Sequence, residues 1–163
     1  MDIQYVGGQV GGRAGSAAAT NVTFALTGGL ASVPAAGDLV IIMLAVGSQG
    51  RNQAQAVTTP AGYTPLGQLN PNGTTYDTSM NVSHKFMGST PDTTFQAPPT
   101  GSTADAQGWT VQVWRGVDPS TPMDVTPVPA SNTGTGRPDP GSISPASAGA
   151  YVVICGAGAA AAG

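Results

Sequence analysis

The stretch "DLVIIMLAV", residues 38–46, decides the fold. Eight apolar residues follow Asp38 without a polar break. Pro34 and Gly37 precede the run and Gly47 ends it. A helix of that length would be short and flanked by breakers. A strand of that length, rich in Val, Ile and Leu and bounded by turn residues, fits a central position in a sheet, buried on both faces. The run is also far too short to cross a bilayer.

The rest of the chain agrees with strands. Of 163 residues, 24 are Gly and 14 are Pro. Few windows of a dozen residues escape a breaker, and helix interiors tolerate neither residue well. The Ala-rich pieces at 14–19 and 157–162 lack an apolar stripe and read as loops or strand ends. By contrast "NVTFAL" (21–26), "NVSHKFMG" (81–88) and "GWTVQVWRG" (108–116) alternate along the chain as strands do. "YVVICGA" (151–157) reads as a second fully apolar strand, facing the first across the core. Weaker strand candidates are 3–6, 56–59, 63–69, 93–97, 123–128 and 142–144. Turn chemistry separates them: Gly37-Asp38, Pro60 with Gly62, Asn72-Gly73, and Asp beside Pro at 91–92 and 118–119. Short strands at roughly ten-residue intervals predict an all-β, antiparallel β-sandwich, jelly-roll or Ig-like. Residues 1–20 read as a Gly-rich N-terminal arm with the first edge strand, and 21–163 as the sandwich. The finish "CGAGAAAAG" directly after a strong strand raises the expectation that the native chain continues past Gly163.

Charge limits the partners. Only 8% of residues are charged: Lys85, four Arg and eight Asp, with no Glu and a net charge of −3. No cluster of basic residues exists to neutralise phosphates, so a nucleic-acid partner is not expected. So little charge suits a surface that packs against copies of itself or into a larger assembly. The N-terminus "MDIQYVGG" carries no signal-peptide pattern, so synthesis and assembly in a bacterial host cytoplasm are expected. Cys155, the one cysteine, lies in an apolar run and reads as a buried small hydrophobe.

No catalytic constellation stands out. His84 is the single histidine, on an alternating strand between Ser83 and Lys85, and a nucleophile–base pair is not legible around it. The eight Asp residues mostly sit beside Gly, Pro or Thr in turns, where capping explains them. Cys–His zinc is excluded by count, and no EF-hand spacing is present, although loop Asp and carbonyl oxygens leave a Ca²⁺ site open. "GGQVGG" (7–12) has no Lys-Ser/Thr after it and is not a phosphate loop. No enzyme activity and no cofactor are expected.

The stretch "QVWRGVDPSTPMDV" (112–125) continues a strand expected over 109–114; Arg115-Gly116 end it, and Asp118-Pro119 start a turn. Arg115 and Asp118 are close enough in sequence for a local ion pair. Trp109 and Trp114, five apart, face opposite sides of a regular strand. One belongs in the core and the other at an edge or interface. Candidate interface or ligand contacts are Tyr5, Arg13, Tyr76, Trp114, Arg115 and Arg137. Trp109, Trp114, Tyr63, Tyr76 and Tyr151 could also supply a sugar-stacking platform.

Five pieces in fixed order resemble a β-sandwich domain that recurs in phage and prophage proteins, including virion surface and tail-associated ones. They are "AAGDLVIIMLAV" (35–46), "TTPAGYTPLG" (58–67), "SHKFMGSTPDTTF" (83–95), "VQVWRGVDPSTPMDV" (111–125) and "AYVVICGAG" (150–158), preceded by Tyr5-Val6-Gly7-Gly8. The resemblance implies a structural component of a virion, on the capsid or tail exterior. Its partners would be copies of itself (a trimer is expected) and other virion proteins. A host-surface glycan or receptor is the alternative partner. It implies no catalytic residue.

Overall fold

The computed structural model describes residues 2–15, 18–49, 56–71, 76–100, 104–131 and 140–158. The chain is all-β. Among the described residues seven strands run in the order β1 (Gln4–Ala14), β2 (Thr20–Thr23), β3 (Leu39–Gln49), β4 (Thr64–Leu69), β5 (Tyr76–Phe86), β6 (Thr94–Ala97) and β7 (Ala106–Arg115). No helix occurs among the described residues, hence none that could cross a membrane. β1-β7-β3-β5-β4 form one sheet and β2-β6 a second, with every pair antiparallel.

The decisive run becomes β3, in the middle of the larger sheet between β7 and β5. Its residues split by parity. Val40, Ile42, Leu44 and Val46 join one core with Val6, Val111 and Val113 from the neighbouring strands. Val22, Phe95 and Ala97 of the smaller sheet belong to the same core, with Phe24 and Leu26 from the segment after β2. Val40, Ile42, Leu44, Val111 and Val113 are wholly inaccessible. Each such burial contributes roughly 1.5–3 kcal/mol, which is why the run dictates the fold. Leu39 and Ile41 are also buried, but on the opposite, outer face.

β1 and β2 are tied together by a side chain. The Gln9 amide donates to the Thr23 carbonyl and accepts from the Ala25 N–H, each at 3.0 Å. It thus pairs with the chain beyond β2 as a backbone peptide would. The Gly-rich start lies in the sheet as β1, opposite β7 over its whole length. Glycine is required there by close approach: a Cβ on Gly11 would meet the Trp109 indole at 2.5 Å. A bulge between Tyr5 and Gly7 shifts the register, and Gly7 adopts φ 153° there.

β5 inverts the usual alternation. Ser79, Asn81 and Ser83 stand opposite Val46, Leu44 and Ile42 on the core face, and all three are essentially inaccessible. Met80 and Val82 share the outer face with Ala45 and Met43. Asn81 donates to Thr59 Oγ1 at 3.1 Å. The Ser79 and Ser83 hydroxyls have no partner.

Several expected strands are absent. Residues 56–59, 123–128 and 142–144 are irregular. The larger correction concerns "YVVICGA", which is not a strand of either sheet. Both edges of β3 and β7 are already occupied, so no slot remains beside them for a second apolar ribbon. The segment lies instead over the outer face of the large sheet, where Ile154 and Cys155 approach Ile41 and Met43. Tyr151 is 60% and Ile154 66% exposed. The expected Asn72-Gly73 turn lies outside the described residues.

Candidate functional site: an aromatic corner on the outer face

At the end of β7 three chain segments converge. Tyr5 of β1 stands opposite Trp114 of β7, and Trp114 stands opposite Leu39 of β3 on its other side. The Tyr5 and Trp114 rings lie 5.1 Å apart at 58°. Tyr151 reaches Trp114 from the C-terminal segment, at 5.3 Å and 46°. Tilted pairs at such distances are favourable beyond their burial. As the five-residue spacing requires, Trp109 turns the other way and packs edge-on against the core ring of Phe95 at 6.4 Å.

The neighbouring residue, Arg115, anchors this corner. Its Nε donates to Asp38 Oδ1 at 2.8 Å and its Nη2 to Asp38 Oδ2 at 2.9 Å. Asp38 is fully buried, and its Oδ2 also accepts the Ala35 N–H at 2.8 Å. A paired fork of this kind is stronger than a single contact. The hydrogen bonds and the charge of Asp38 hold the guanidinium pKa above its ordinary value. The local Arg115–Asp118 ion pair expected from the sequence does not form. The Asp118 carboxylate turns back to accept the Ser120 N–H at 2.8 Å and the Thr121 hydroxyl at 3.1 Å, which lowers its pKa. It is the turn residue that its place before Pro119 suggests.

Residues 117–131 and 140–158 cover the outer face without joining it. Asp124 ties this segment together by accepting the N–H groups of Ala146 and Ser147 at 2.5 and 3.1 Å. Between segment and sheet lies an open cavity of about 930 Å³, lined by Leu39, Ile41, Met80, Val82 and Trp114 below and Val152 above. Trp114 Nε1 and Thr78 Oγ1 are buried on its lining without partners. A mostly apolar space with few polar groups has the character of a binding or contact site.

Of the six residues singled out from sequence, Tyr5, Trp114 and Arg115 meet at this corner. Arg13 does not. It lies toward the far end of β1, where Nη1 donates to the Ala18 carbonyl and Thr20 Oγ1, both at 2.6 Å. Its Nη2 donates to the Pro98 carbonyl at 2.8 Å, so Arg13 staples the start of β2 and the end of β6 to β1. Tyr76 opens β5 opposite Gln49. Arg137 lies outside the described residues. Asp38 and Tyr151 complete the corner. Asp38 was legible only as part of Gly37-Asp38-Leu39, a charged residue set directly against the strongest apolar run.

Two further titratable side chains, His84 and Cys155, lie on the outer side of the large sheet. His84 stands on the outer face opposite Ile41 and Thr64. Burial lowers its pKa, and Nδ1 has no partner. Cys155 is half-buried and its thiol pKa is raised by that burial. Among the described residues no three His, Cys, Asp or Glu side chains converge as a metal site would need. No protein-family model matches the chain, and neither the curated proteins nor the solved structures contain a match to it.

Proposed function

We propose that the chain is a non-enzymatic structural component of a phage or phage-like particle, on the capsid or tail exterior, acting by self-assembly and docking. Its two sheets are read as the facing layers of a β-sandwich of jelly-roll or Ig-like type. One observation carries the reading. Gly37-Asp38-Leu39 and Trp114-Arg115-Gly116, two motifs behind the resemblance to phage β-sandwich proteins, meet in space as a bidentate ion pair. The Arg115 and Asp38 side chains are taken up in holding the turn before β3 to the end of β7. The low charge and the exposed apolar residues Tyr151, Val152 and Ile154 support assembly. Antibody labelling of purified particles in the electron microscope tests the setting. Label on the particle exterior is expected, and label confined to soluble cell protein would count against it.

A second reading has its own support. The Tyr5–Trp114–Tyr151 cluster offers a sugar-stacking surface, with Tyr5 and Tyr151 partly exposed. A receptor- or glycan-binding module displayed on the particle would use it. Binding on a glycan array that Trp114→Ala abolishes would favour this role.

A further inference from the structure

The geometry points to residues 150–157 as an unpaired strand that pairs antiparallel with the same segment of a second copy of this chain. This rests on the assembly reading above and names its contact. Along 152–157 burial alternates: Val152, Ile154 and Gly156 are exposed, while Val153, Cys155 and Ala157 are half-buried. That period of two is the signature of extended backbone. Yet among the described residues no backbone–backbone hydrogen bond involves 150–158. Val, Ile and Tyr are the residues that prefer strands, and here they hold a strand's alternation without a ladder.

Both outer edges of the large sheet are guarded. The outer edge of β1 is occupied at Val6 and Gly8 by Ala31 and Thr27. The edge strand β4 carries Pro65 and a bulge. Such devices block edge-to-edge pairing. The tract at 150–157 has none of them. It contains no Pro, and residues 140–158 contain no charged side chain, so two copies meet without repulsion. An uncharged, apolar segment is complementary to itself. Antiparallel pairing of identical strands about a two-fold axis satisfies the N–H and C=O groups on the facing edges of both copies. Tyr151, Val152 and Ile154, all more than half exposed in the single chain, gain cover at the same contact. The contact is two-fold, in place of the three-fold arrangement expected from the sequence.

Sedimentation velocity and amide exchange on wild type, Val152→Pro and Val152→Thr test this. Val152 is 51% exposed, so neither substitution disturbs the core. Proline removes an N–H and the extended pairing geometry, whereas threonine keeps strand preference. Wild type and Val152→Thr should form dimers with amides 151–157 protected. Val152→Pro should weaken the dimer at least about tenfold and lose that protection. An oligomer of any size that Val152→Pro leaves intact overturns this contact but leaves the assembly reading standing. A wild-type monomer at every concentration, with these amides exchanging freely, overturns both.

Discussion

Arg115 closes a two-pronged pair on Asp38 across 77 residues of sequence, with the carboxylate wholly buried and the guanidinium partly in solvent. It joins the turn before the central strand to the end of the adjacent strand. Removing Arg115 leaves a buried carboxylate with one remaining backbone donor. Breaking a buried pair from one side costs about 3–5 kcal/mol. Because the Arg115 side chain is 40% exposed, Arg115→Ala should lie toward the lower end, roughly 3 kcal/mol. Arg115→Lys should recover only part, since lysine lacks the fork. Urea unfolding monitored by circular dichroism reads both.

Gly11→Val should destabilise through overlap, not through lost hydrogen bonding. The Trp109 indole lies against the Gly11 backbone, where a side chain has no room. Overpacking of this kind costs typically about 1–3 kcal/mol. The tryptophan signal in near-UV circular dichroism should change with it. Gly47→Ala, where a Cβ meets nothing within 4 Å, is the control and should leave both unchanged.

Ser83→Ala should stabilise the protein. The Ser83 hydroxyl is inaccessible and has no partner, on the core face opposite Ile42. An unsatisfied buried hydroxyl costs about 1–3 kcal/mol, and its removal leaves only a small void. A gain of roughly 1 kcal/mol in thermal or denaturant unfolding is expected. A loss instead would mean that the hydroxyl is satisfied in solution.

Stability should fall as pH drops below the ordinary histidine value of 6.5, because burial lowers the His84 pKa in the folded chain. The unfolded state then binds the proton first, so unfolding is favoured between the two pKa values and the contribution is fully present only above them. His84→Gln should flatten this slope in unfolding midpoints measured from pH 7 to pH 5. A further decline near pH 3.8 and below is expected from Asp118 and Asp124, whose pKa values the turn hydrogen bonds lower.

The sequence carried the sheet further than the site. Residues 39–46 were legible as a central strand because nothing but a two-sided apolar environment accommodates eight apolar residues in a row. Trp109 and Trp114 were separable by parity alone. The polar row of β5 was not, because alternation tells two faces apart without saying which is inside; the pairing of Ser83 with Ile42 decides that. "YVVICGA" misled for a related reason. Composition reports that a segment prefers strand, but a strand also needs a free edge, and β7 and β5 had taken those beside β3. The Arg115–Asp38 pair was hidden by distance in sequence, so the nearer Asp118 stood out in its place.

The pairing of β1 with β7 has a consequence for how the chain comes into being. β1 hydrogen-bonds to a strand that leaves the ribosome about a hundred residues after it. Until Ala106–Arg115 emerges, β1 has only its short contacts with Thr27 and Ala31 to hold it, and glycine is the residue with the most backbone freedom to surrender. Closure of the large sheet is therefore a late event that joins distant parts of the chain, and folding should be slow for a protein of this size.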